Sequence, residues 1–114
     1  MSAECFTVVG WTNGKPKMTA AGYGLKIRNA SDRNNYFKRE WGKIELRLPN
    51  LAVPAKININ KDSFWTETCR ELIGNEIGLW LLRENLAPWL PGSPPQVLLI
   101  SQGDGIFEAR RYGG

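Results

Sequence analysis

The sequence predicts a mainly β fold with helices (α+β), in one domain over residues 1–114. Three observations lead there. Several short segments alternate apolar and polar residues with the period of two that a half-buried strand requires. Clusters of glycine, proline and asparagine separate them, as turns demand. Residues 62–85, DSFWTETCRELIGNEIGLWLLREN, form the single segment with a clear helical period. The count is six or seven strands, one short helix and one long amphipathic helix. Closure into a barrel or half-barrel is the natural way for so many strands to hide their edges.

Residues 6–11 (FTVVGW) are β-branched and aromatic and predict the first strand. Asn13-Gly14 follows as a two-residue hairpin signal, and Lys15-Pro16-Lys17 opens the return arm. Tyr23, Leu25 and Ile27 then share one face, with Lys26 and Arg28 on the other. Ser31-Asp32 reads as a cap for a short helix over residues 32–39, with Tyr36 and Phe37 turned inward. Residues 43–48 alternate cleanly: Ile44, Leu46 and Leu48 in, Lys43, Glu45 and Arg47 out. Pro49-Asn50 turns the chain into residues 55–60, with Ile57 and Ile59 in and Lys56, Asn58 and Asn60 out.

In the long helix, Trp65, Cys69, Leu72, Ile73, Ile77, Trp80 and Leu81 recur at steps of three and four, one apolar stripe. Glu67, Arg70, Glu71, Asn75, Glu76 and Gly78 lie around the other side. Asp62 or Ser63 caps its start, and Asn85 followed by Pro88 ends it. A break at Gly74-Asn75 would give a helix-turn-helix, but its second helix, IGLWLLREN, is too apolar for a major groove. Residues 88–95, with four of the seven prolines, read as a stiff packed connection with Trp89 against the helix. Residues 97–100 form a continuous apolar run, a central buried strand, and Gln102-Gly103-Asp104-Gly105 turns it into a last strand over residues 106–111.

A chain of 114 residues buries about 65% of its unfolded surface, enough for a core without staples. No apolar run reaches the ~18 residues of a membrane span, and MSAECF lacks a basic-then-apolar signal, so an intracellular protein of cytoplasm, nucleoid or nucleus is expected. Cys5 and Cys69, far apart, are expected as buried thiols.

The chain has no histidine. That removes the commonest general base and metal ligand, along with every Ser-His or Cys-His nucleophile. The cysteines and carboxylates show no metal-ligand spacing, and Asp32, Asp62 and Asp104 sit at turns or caps. The expectation is no enzyme, no catalytic residues, no metal and no cofactor.

Charge points elsewhere. Net charge is +4, but residues 1–61 hold eleven basic against four acidic side chains (+7), and residues 62–114 four against seven (−3). Such an excess on the strand-rich half suits a polyphosphate partner. Lys43, Arg47, Lys56, Asn58 and Asn60 project onto one face if their strands pair. Asn13, Lys15 and Lys17 occupy the first turn, and Lys26, Arg28, Arg33, Asn34, Asn35, Lys38 and Arg39 cluster around the short helix. Lysine and arginine neutralise phosphates, while arginine and asparagine also pair with guanine or adenine edges. The mixture fits a reader of double-stranded DNA.

Residues 32–48, DRNNYFKREWGKIELRL, resemble the helix-then-strand segment of B3 DNA-binding domains. Trp80 through ENLAPW to Val97-LLIS and Gly105-IFEAR is similar to that family's helix, asparagine-leucine turn and final strand pair. The chain departs from plant members at Pro94-Pro95, where they carry Gly-Asp, and in a longer central helix. The resemblance implies an open seven-stranded pseudobarrel that grips the major groove with two arms. By position these are residues 13–17 with their flanks, and the strands within residues 43–61.

Two other functions compete. A protein-interaction subunit, alone or in a larger assembly, would use the Gly74/Gly78 helix face or the proline-rich connection. A single-strand binder would stack bases on exposed Trp11, Tyr23 and Trp41.

Overall fold

Alternating segments become strands, and the sheet they build nearly closes on itself. The computed structural model describes residues 4–14, 18–66 and 69–112. In order these are β1 (Glu4–Thr12), β2 (Tyr23–Ile27), α1 (Ala30–Tyr36), a single 3₁₀ turn (Arg39–Trp41), β3 (Lys43–Arg47), β4 (Ala55–Asn58), α2 (Asp62–Trp65), β5 (Glu71–Ile73), α3 (Asn75–Arg83), β6 (Gln96–Gly103) and β7 (Ile106–Arg111). The seven strands form one sheet in the order β4-β3-β7-β6-β1-β2-β5. Every pairing is antiparallel except β3 with β7. The end strands β4 and β5 touch, so the sheet curls into a nearly closed, barrel-like shape.

Inward positions fill the interior. Tyr23, Leu25, Ile27, Ile44, Leu46, Ile57, Val97 and Leu99 are all buried, as the alternation requires. At one end Phe37 stacks on Phe107 at 4.9 Å, and Phe6 meets Phe107 edge-on at 6.2 Å. Trp89 packs on β1 and β2: it lies edge-on to Tyr23 at 5.3 Å and over Gly10.

Four expectations change. The β1–β2 pair is a hairpin, but its connection spans residues 13–22, with the Asn13 amide donating to Gly22 O at 2.8 Å. The return arm starts at Tyr23, and Lys15-Pro16-Lys17 lie outside the described residues. The short helix starts earlier, because the Asn29 side chain caps it by accepting from the Asp32 amide at 2.8 Å. Cys5 and Cys69 are exposed: Cys5 is on the outward register of β1, and Cys69 precedes β5 instead of joining a buried stripe.

The long helix of residues 62–85 is the fourth. It is one helical turn, a strand and a nine-residue helix. Strand β5 adds to β2 with Leu25 opposite Leu72. Gly24 lets the backbones meet, since a Cβ there would lie 2.5 Å from the Leu72 carbonyl oxygen. Helix α3 starts after Gly74 and packs on β2, burying Ile77, Trp80 and Leu81. Gly78 faces the Ala20 backbone so closely that a Cβ would collide with it. Glu67, expected on the polar side of the helix, lies outside the described residues. Among the described residues no helix is long and apolar enough to cross a membrane.

Candidate nucleic-acid interface

The hairpin of β3 and β4 presents the most regular outward face. Lys43 stands opposite Asn58, and Glu45 opposite Lys56. Glu45 accepts from Lys56 Nζ at 2.6 Å and from Arg47 Nε at 2.9 Å. Those two donors, Lys56 first, hold its carboxyl below the usual carboxylate range. On the other side of β3, the parallel partner β7 sets Glu108 opposite Arg47, and Glu108 accepts from Arg110 Nε at 2.6 Å. Across β4, β3 and β7 the outer face therefore carries Lys43, Arg47, Lys56 and Arg110 against Glu45 and Glu108. All four cations are exposed.

Strand direction decides which loops act together. β1 is antiparallel to β6, and β6 to β7, so β1 and β7 run the same way. β3 is parallel to β7. The loops that follow β1 and β3 consequently leave the sheet at the same end. Asn13 is exposed in the first loop, and Lys15 and Lys17 of that loop lie outside the described residues. The second loop, residues 48–54, turns at Asn50 (φ 70°) and is closed by the Leu51 amide donating to Leu48 O at 3.1 Å. A cavity of about 270 Å³ opens beside it, lined by Arg47, Leu48, Leu51, Ala52 and Pro54. A proline-rich connection enters β6 at this same end, tied by the Gly10 amide to Pro95 O at 2.8 Å.

The other sequence-predicted residues gather at the opposite end, where β2 and β4 finish and β3 begins. Arg39 donates to Asn60 Oδ1 at 3.2 Å and pairs with Asp62 at 2.7 Å. Asn58 accepts from the Asn60 amide at 2.9 Å, and Asn35 donates to Ser31 at 3.4 Å. Lys38 is exposed. Arg28 reaches Thr7 Oγ1 at 3.3 Å. Lys26 is half-buried in mid-sheet, between Val9 and Glu71.

Arg33 is a correction. It is only 6% exposed, donates to the carbonyls of Phe64 and Thr66, and lies 5.5 Å over the Trp65 ring. It ties α1 to α2 and is not a surface cation. Arg70, expected as a solvated helix residue, clamps the end of β2 instead, with Nε donating to Ile27 O at 3.1 Å. Arg110 was missed because a charge count by halves assigns it to the acidic half; no local signal announces the parallel β3–β7 pairing. Of the aromatics proposed to stack bases, Tyr23 is buried in the core, and Trp11 and Trp41 are half-buried.

Comparison with protein-family models, with curated proteins and with solved structures finds no match.

Proposed function

We propose that this chain is a non-catalytic module that binds double-stranded DNA in the major groove, with a pseudobarrel of the B3 kind. The observation that carries the reading is the shared exit of the β1–β2 and β3–β4 loops at one end of the barrel, beside an outer face on which Arg47, Lys56 and Arg110 are exposed; Lys43, opposite Asn58, lies toward the far end. Two arms leaving in one direction can straddle a groove wall, and cations on the adjoining strands neutralise the flanking phosphates.

Among the described residues, the groove-facing set in this reading is Asn13, Arg47, Lys56 and Arg110. Arg28, Asn35, Lys38, Arg39, Asn58 and Asn60 belong to the far end and contribute mainly to the long-range field. The competing protein-interaction reading loses one of its surfaces, because the Gly78 position is already filled from within by Ala20.

Fluorescence anisotropy of a labelled random duplex, against single strand of equal length and across salt concentrations, tests the proposal. Duplex binding should show a steep log–log salt slope. Arg47→Ala should weaken it by about 1–3 kcal/mol. Arg39→Ala, at the far end, and Glu76→Ala, on α3, should leave it nearly intact. Equal losses from all three variants, or no duplex binding at ~50 mM salt, would overturn the reading.

A further inference from the structure

At the root of the β3–β4 loop an arginine whose fork is half committed stands over an apolar hollow. Resting on the duplex-binding reading, we propose that Arg47 and this hollow together read one dinucleotide feature: a guanine preceded on its own strand by a 5-methylpyrimidine, thymine or 5-methylcytosine.

The guanidinium supplies the guanine half. Arg47 donates its Nε to Glu45 at 2.9 Å, and Glu45 is itself gripped by Lys56 at 2.6 Å. This leaves both Nη groups available while fixing the plane of the side chain. A planar pair of donors matches O6 and N7 of guanine, the commonest specific contact in the major groove. Glu45 is thus a positioning residue, and Lys56 restrains it in turn.

The hollow supplies the methyl half. Apart from Arg47, its lining is Leu48, Leu51, Ala52 and Pro54, with no second polar side chain. Leu48 is buried, and the Leu51 amide is bonded to Leu48 O, so the wall is preformed. Pyrimidine C5-methyl groups project into the major groove and are recognised by apolar contact. A methyl on the base that precedes the guanine lies next to the edge Arg47 would hold, within reach of the wall. An extruded base fits less well: it needs hydrogen-bond partners along its Watson–Crick edge, and this lining offers one arginine.

The full chain is titrated by anisotropy against four duplexes at one salt concentration: alternating TG·CA, the same with deoxyuridine for thymidine, alternating CG, and the same with 5-methylcytosine. Burial of one methyl corresponds to about a fourfold change in Kd per site. Binding should fall about fourfold on the deoxyuridine duplex and rise about fourfold on the methylated one. Arg47→Lys keeps the charge and should bind duplexes with both differences erased; its thermal unfolding curve checks that it folds. Equal affinity of the unaltered protein for all four duplexes overturns this inference and leaves the duplex-binding reading standing. No binding to any of the four overturns both.

Discussion

The β3–β4 hairpin and residues 62–85 offer equally strong periodic patterns, yet one folds as its pattern predicts and the other does not. In the hairpin, Ile44, Leu46 and Ile57 are buried, and Lys43, Arg47 and Lys56 are exposed, residue by residue. In the second region Leu72, Ile77, Trp80 and Leu81 are buried, but Ile73 is 44% exposed and Cys69 is also exposed. The difference lies in where each segment finds its partner. β3 meets β4 across a short loop, so pattern and pairing are both local. β5 pairs with β2, more than forty positions away, and Gly24 on β2 is what admits it. A stripe at steps of three and four fits a helix, and it equally fits a strand followed by a helix when one residue, Leu72, is inward in both.

The widest test of this comparison sets two neighbours apart. A continuous helix would place Leu72 and Ile73 on the same buried stripe; strand β5 places them on opposite faces. Leu72→Ala should therefore cost about 2–5 kcal/mol in urea unfolding, as large core truncations do. Ile73→Ala should change stability by less than about 0.5 kcal/mol. Comparable losses from both would restore the helix.

Gly78→Ala is the next test in size, and its sign is diagnostic. In a helix facing solvent, alanine in place of glycine stabilises by about 1 kcal/mol. Here the added Cβ would collide with the backbone of Ala20, which cannot move aside as a side-chain tip can. Overpacking should dominate and destabilise by about 1–3 kcal/mol. A stabilised variant would mean that α3 does not dock against that loop.

The same contrast explains which features of the site could be read in advance. Arg47 and Lys56 were legible because alternation alone puts them outside. The sharing of one end by the first and third strands' loops was not legible, since it follows from a parallel pairing between β3 and β7 that no turn signals. Arg33 was misplaced for a related reason. A cation among asparagines on a short helix looks solvated, and what buries it are carbonyls of Phe64 and Thr66, some thirty positions further on. A break at Gly74-Asn75 enters the sequence reading only as a helix-turn-helix that is set aside, yet α3 starts there, after a strand rather than after another helix.

The smallest expected effect probes the hairpin side of the comparison, where surface charge rather than burial is at issue. Glu45 bridges Lys56 and Arg47, and their hydrogen bonds to its charged form lower its pKa in the folded chain. A carboxyl whose folded value lies below its unfolded one stabilises the fold above the unfolded value, and that contribution is lost as pH falls through the folded one. Glu45→Gln should thus lower the urea midpoint slightly at neutral pH, and the difference should close as acid protonates the carboxyl in both states. Its partners are exposed, so added salt should shrink the neutral-pH difference as well. A gap that persisted in acid and in high salt would show that Glu45 supports the hairpin by packing, in which case it would not hold Arg47 through charge.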